Sequence, residues 1–288
     1  MYVVILTTVA GLLLACGVAM VEYKRDISYA PFSPVNLKVP TGEMKKAETP
    51  YMIAFVNPTY EASTVEARKS IQNQIEALKR SYGDRFGGLA PSGIYRRMDK
   101  AQIEYVDRIK EVFQADLEQI LLAKNIRVLG TFKSRDEMTF DEKKRAIYTF
   151  TPEIRIDIKT SYTVTNRANP YIEKGEVIIS GGIILVLRES ITGEKIWVKR
   201  IDAPEARKPY EFVAKYKEPL RYEQTVGVVG VPLSGGPAGE KDNTDQVLAS
   251  ALSEFYTATG DKLWRHIDPE EWSKYLKQAE SLREEKRY

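Results

Sequence analysis

The sequence predicts an α+β fold, a single tethered domain, on three observations. Apolar residues recur at helical spacing over about 98–124 and again from about 244 onward. Between those stretches the period falls to two, with Ile154, Ile156 and Ile158 alternating with Glu153, Arg155, Asp157 and Lys159. Ahead of both lies an uncharged run, Tyr2 to Val21, followed by a stretch carrying Pro31, Pro34, Pro40 and Pro50. The expected core is a mostly antiparallel sheet of about five strands packed against two long helices, plus a C-terminal helix.

In chain order, YMIAFVNP at 51–58 is a short apolar strand stopped by Asn57-Pro58. Ser63 with Glu66 three residues on reads as a capping box, and Val65, Ile71, Ile75 and Leu78 follow at helical spacing. A glycine-rich connection over 81–93 leads to a helix from about Met98 to Lys124, with Ile103, Val106, Ile109, Phe113, Leu117, Ile120 and Leu121 on one face. Residues 125–132 read as a strand, and right-handed crossover of this strand–helix–strand unit makes its two strands parallel. Residues 134–146 are a polar excursion with a short helix.

The alternating isoleucines open a half-exposed strand. Residues 176–190, apolar on both faces, form a central strand in which Gly181-Gly182 marks a bulge or bend; 191–195 is a hairpin turn and 196–202 the return. Residues 210–217 alternate Tyr210, Phe212, Ala214 and Tyr216 with polar neighbours, as an edge strand does. The glycine- and proline-rich stretch 226–243 reads as a mobile loop. Helix resumes near Thr244 with Asn243 as cap and Val247, Leu248, Ala251, Leu252 and Phe255 as its buried stripe. A last helix opens at Asp268-Pro269 and carries Trp272, Tyr275, Leu276, Ala279 and Leu282 on one side.

Composition excludes much chemistry. Lys plus Arg 43 against Asp plus Glu 40 leaves a net charge of +3 over 288 residues, so no nucleic-acid partner is expected. One cysteine, Cys16, allows no internal disulfide, and one histidine, His266, leaves the usual metal constellations and histidine-based triads out of reach. No enzymatic activity, metal or cofactor is expected. The run from Gly235 to Lys241 lacks P-loop spacing, and Asp242-Asn243-Thr244-Asp245 reads as helix capping rather than a calcium turn. His266, near a helix end, reads as a surface residue that complements the dipole.

Two readings of the uncharged N-terminal run stay open: a cleaved export signal, or an uncleaved helix of about 20 apolar residues spanning a bilayer. Leu13-Leu14-Ala15-Cys16 has the order of a bacterial lipobox, a branched apolar residue, a small residue and then the thiol that takes the lipid. Acyl chains there contribute about 0.8 kcal/mol per buried methylene, enough together for a firm anchor on the membrane. The expected organisation is 1–15 signal peptide, 16–49 lipidated cysteine and proline-rich tether, 50–267 α+β domain and 268–288 C-terminal helix.

One stretch interleaves aromatic and basic residues in the way a surface for anionic glycan requires: Tyr210, Phe212, Lys215, Tyr216, Lys217, Arg221 and Tyr222. The same alternation also suits a strand whose aromatics pack on the core.

Several segments in order, NIRVLGTFKSRDEMTFDEKKRAIYTFTPEIRID, GEVIISGGIILVLRESITGEKIWVKRID, KDNTDQVLASALSEFYTATGDKL and YLKQAESLREEKR, resemble the HpaA family of neuraminyllactose-binding haemagglutinin lipoproteins. The resemblance implies a palmitate-bearing outer-membrane lipoprotein, at the cell surface or in the flagellar sheath, with Cys16 as its lipid-bearing residue. It also implies an adhesin with a sialylated glycan, or else a protein, as partner. Where the family has a short basic motif, IKTSYTVTNRANP at 158–170 carries only Lys159 and Arg167. An alternative from a different class is a periplasmic-side assembly or secretion accessory that binds a protein through a sheet edge or the terminal helix.

Overall fold

In a computed structural model, residues 48–82, 97–166, 171–216 and 237–285 are described. The elements are β1 (Met52–Val56), β2 (Thr59–Tyr60), α1 (Ala62–Tyr82), α2 (Arg97–Ala123), β3 (Arg127–Phe132), a 3-10 turn (Arg135–Glu137), α3 (Phe140–Arg145), β4 (Tyr148–Asn166), β5 (Tyr171–Glu189), β6 (Lys195–Asp202), β7 (Ala206–Tyr216), β8 (Pro237–Asp242), α4 (Thr244–His266), α5 (Pro269–Ser273) and α6 (Leu276–Glu285). Residues 1–15 and most of 16–49, expected to be a signal and a tether, and most of the glycine-rich stretches at 81–93 and 226–243 lie outside the described residues.

The strands join one mixed sheet in the order β3-β1-β4-β5-β7-β8, with β2 beside β4 and β6 beside β5. The β1–β3 pairing is parallel, as the crossover requires, and β1–β4 is parallel too. Pairings β4–β5, β5–β6, β5–β7 and β7–β8 are antiparallel. Among the described residues the sheet has eight strands where about five were expected, for two reasons. At 19 residues each, β4 and β5 pair along each other, and on its other side each takes two shorter partners, β1 and β2 for β4 and β6 and β7 for β5. Residues 237–242, expected to be part of a loop, form β8 along β7, so β7 is interior rather than an edge.

Gly181 and Gly182 mark where β5 exchanges neighbours. The pairing with β7 ends at Ile179 and that with β6 begins at Gly182, while the register with β4 runs through both glycines without a bulge. A Cβ at Gly182 would stand 2.2 Å from the Ile201 carbonyl oxygen, and Gly181 sits at φ +142°, so neither position tolerates a side chain.

One face of the sheet carries the long helices α2 and α4. α2 buries Val106, Ile109, Phe113, Leu117, Ile120 and Leu121, and α4 buries Leu248, Ala251, Leu252, Phe255 and Leu263. α2 stops where Asn125 adopts φ 53°, its N–H donating to the Leu122 carbonyl and that of Ile126 to Leu121, both at 3.0 Å. α1 forms as its spacing predicts but buries little: Val65 is half exposed, and Ile71 and Ile75 are half-buried. It begins at Ala62, so Ser63 lies inside the first turn instead of capping it. The capping box that does form is Thr139 with Glu142, at the start of α3.

The C-terminal helix is two helices. α5 ends at Ser273 and α6 starts at Leu276. The break lets α5 plant Trp272 fully buried among Phe150 and Trp197, at ring-centroid distances of 5.1 and 5.8 Å. Tyr51 and Tyr148 donate their hydroxyls to the carbonyls of Pro269 at 2.9 Å and Trp272 at 3.1 Å. The terminal segment therefore packs on the sheet and completes the same core.

Candidate functional site

The sheet determines what each candidate residue can do. Tyr210 pairs with Gly175, and its ring lies across that glycine so closely that a Cβ there would meet ring carbons at 2.7 Å. Its hydroxyl donates to Glu173 Oε1 at 2.7 Å, and both side chains are buried, 4% and 1% exposed. A tyrosine with its ring covered and its hydroxyl committed supports the sheet and presents no face to a ligand. Phe212, opposite Glu173, is half-buried. Lys215 and Tyr216 lie at the end of β7, their side chains outside the described residues; Lys217, Arg221, Tyr222 and Cys16 are outside them altogether.

The face away from α2 and α4 carries a mosaic of ion pairs. Arg155 reaches Asp202 at 3.2 Å, Lys159 reaches Asp157 at 2.8 Å, Arg207 reaches Glu205 and Glu176 at 2.5 and 3.3 Å, and Lys174 reaches Glu211 at 3.3 Å. Alternation puts these side chains on the surface opposite the isoleucines, where such pairs contribute little each. Both signs alternate along the strands, so this face has no single-sign field to concentrate a charged ligand.

Two buried acids hold elements together. Asp116 on α2 accepts from the Tyr256 hydroxyl of α4 at 2.5 Å, and burial, then Asp116 itself, pushes the phenol above its ordinary range and keeps it a donor. Glu189, at the end of β5, accepts from the backbone N–H groups of Ile191 at 3.0 Å and Thr192 at 2.5 Å and from the Arg283 guanidinium at 2.6 Å. Burial pushes the Glu189 carboxyl up, and those backbone donors together with Arg283 outweigh it and hold the group below its usual value. Arg283 also donates to the carbonyls of Lys143, Lys144 and Ala146, which latches α6 onto the end of α3.

Asp242 is the real cap of α4: its Oδ1 accepts from the Thr244 N–H at 3.0 Å and hydroxyl at 2.6 Å, while the Asn243 side chain makes no capping bond. His266 closes that helix, but burial, then Lys199 and Arg265, hold its imidazole below the ordinary value, so it adds little positive charge there. Among the described residues no three His, Cys, Asp or Glu side chains gather as metal ligands. No described helix is long and apolar enough to cross a membrane.

No family model and no curated protein matches the chain. Among solved structures, a neuraminyllactose-binding hemagglutinin homolog from Helicobacter pylori superimposes with a TM-score of 0.50 at 13% identity, covering 86% of this chain and 100% of that one. Protein XCC0632 from Xanthomonas campestris, of the DUF330 family, aligns at 11% identity over 88% of this chain and 98% of its own, with a TM-score of 0.27. Lipoprotein GNA1162 from Neisseria meningitidis aligns at 13% identity over 56% and 84%, with a TM-score of 0.18. The Helicobacter pylori structure, matched along its whole length, has a fold similar to that of this chain; the other two scores are too low to bear on it.

Proposed function

We propose that this chain is a non-enzymatic, lipid-anchored protein of the bacterial cell envelope. Its α+β domain binds rather than transforms a partner, in adhesion or as an outer-membrane surface or flagellar-sheath component. The observation that carries the reading is the order Leu13-Leu14-Ala15-Cys16 inside an uncharged run, ahead of a proline-bearing stretch and then a domain folded like a hemagglutinin homolog. The name of that homolog makes a sialylated glycan the first ligand to try. The residues for it are those of the aromatic and basic row that remain after Tyr210: Phe212, Lys215, Tyr216, Lys217, Arg221 and Tyr222.

Cys16→Ser tests the anchor. The unsubstituted chain is expected to partition with membranes and incorporate labelled palmitate, and the serine variant to lose the label and leave the membrane fraction. A wild-type chain that takes up no label contradicts the reading. Retention on immobilised sialyllactose, abolished by Arg221→Ala with Lys217→Ala, tests the ligand separately.

A second reading, a periplasmic-side accessory that binds a protein, is favoured by the burial of Tyr210, which takes an aromatic face away from any sugar. Of its two proposed contacts, the terminal helix is already engaged through Trp272 and Ala279, which leaves a sheet edge. Protease shaving of intact cells separates the readings, since a surface adhesin is cleaved and a periplasmic accessory is protected.

A further inference from the structure

The mosaic of ion pairs does not extend to the end of its face where β5 turns into β6. Thr149 lies between Tyr148 and Phe150, which belong to the core, so alternation turns its side chain to the opposite face. There it stands in one cross-strand row with Arg188 of β5 and Lys195 of β6. The segment that carries the 3-10 turn packs on the same face, with Met138 in a small cluster around Ala54, the neighbour of Thr149 on β1. From that turn Arg135 reaches the β5–β6 connection. Its guanidinium lies on Gly193, where a Cβ would stand 2.6 Å from Cζ and closer still to Nη1. Gly193 also sits at φ +77°, so both the space and the backbone there require glycine. Arg188 Nη1 donates to the carbonyl of the same glycine at 3.1 Å. Two guanidiniums thus share one residue, and a lysine stands beside them in the row.

Among the described residues these donors outnumber their acceptors. Arg135 Nη1 is buried without a hydrogen-bond partner, and so is the hydroxyl of Thr149, a residue 0% exposed. Ser190, two residues beyond Arg188 and equally buried, has an unpartnered hydroxyl too. Buried polar atoms are seldom left in that condition without a reason. No ion pair with a described residue engages Arg135, Arg188 or Lys195. Glu189, the buried acid of this turn, is taken by Arg283 and by the N–H groups of Ile191 and Thr192, while Asp136, Glu137 and Glu194 are exposed. Like charges gathered around unpaired donors are the composition of an anion site.

We infer that Arg135, Arg188 and Lys195 bind a phosphate group, with the Thr149 hydroxyl as a further donor. A carboxylate is satisfied by the two-bond fork of one guanidinium. Three cations and a hydroxyl, one of the cations coming from the turn and two from the sheet, match a group with three acceptor oxygens and a charge of about −1.5 to −2, as a phosphate monoester has at pH 7. Both arginines are half-buried and Lys195 is exposed, so the anion enters from solvent without unfolding the turn. Free phosphate and the phosphate of a lipid headgroup share this chemistry. The inference does not depend on lipidation or on a glycan ligand.

The test is titration calorimetry of the full-length chain in detergent. Inorganic phosphate is expected to bind about tenfold or more tighter than acetate. Arg135→Gln and Arg188→Gln are each expected to weaken phosphate binding about tenfold or more, and Lys195→Gln, which removes an exposed side chain and cannot disturb the fold, roughly threefold. Arg155→Gln, which removes a cation of the same face already paired with Asp202, is expected to leave binding unchanged. Glycerol 3-phosphate bound more tightly than inorganic phosphate assigns the site to a lipid headgroup, and equal affinity assigns it to free phosphate. No heat at millimolar phosphate, acetate bound as well as phosphate, or binding indifferent to both Arg135→Gln and Lys195→Gln in folded chains overturns the proposal.

Discussion

The two halves of the long β4–β5 ladder are built from one repeating pattern and have different fates. At the end where β5 turns into β6, the inward residues Tyr148, Phe150, Ile154 and Ile156 are buried beneath α5 and the long helices. Beyond Ile158 the same alternation continues through Thr160, Tyr162 and Val164, yet Tyr162 is 51% exposed and, among the described strands, this stretch is paired with β5. Period-two spacing thus specifies which residues share a face; whether that face is covered depends on what packs above it. The proximal half is the stable body, and the distal half is a ladder held by backbone pairing and the Tyr210–Glu173 bond.

That contrast predicts a graded series of losses. The largest belongs to Trp272→Ala, which empties the centre of the proximal half and is expected to cost about 4 kcal/mol in urea unfolding. Next comes Arg283→Ala, which strands the buried Glu189 carboxylate and three carbonyls; about 3 kcal/mol is expected, with α6 gaining rapid amide exchange while β7 does not. Tyr210→Phe keeps the ring over Gly175 and leaves Glu173 one donor short, for about 1–2 kcal/mol confined to the distal half. Tyr162→Ser is expected to change stability by less than about 0.5 kcal/mol. A loss from Tyr162→Ser as large as that from Trp272→Ala would erase the distinction between the halves.

Acid sharpens the same comparison. Because the Glu189 carboxyl is held below its ordinary value of 4.5, the stability it gives is present above that value and is lost as pH falls through the lower folded-state value. Hydrogen exchange measured through that window is expected to show α6 and the β5–β6 hairpin opening before α2. Glu189→Gln is expected to remove most of this pH dependence.

Where local spacing decided structure, the sequence was readable. The face of α2 from Val106 to Leu121 is buried as its period implies, and Ile154 and Ile156 lie inward as their alternation implies. What escaped reading depended on distant partners. The β8 segment, PAGEKD, has no period-two signal and is a strand only because β7 offers it a ladder. The helical spacing from Trp272 to Leu282 conceals the break after Ser273, where carbonyls of α5 accept from tyrosines 218 and 124 residues away in sequence. Thr64 resembles any helix residue until Ile156 is seen beside it. Of the candidate row, alternation correctly placed Tyr210 and Phe212 on one face, but no local signal marks Glu173 as the partner that draws Tyr210 inward.

The measurement that tests the account most directly is the intact mass of the mature chain purified from bacterial membranes. The account predicts a polypeptide that starts at Cys16 and carries the added mass of a diacylglycerol, with or without a further acyl chain. A chain that retains residues 1–15 and an unmodified thiol would contradict it.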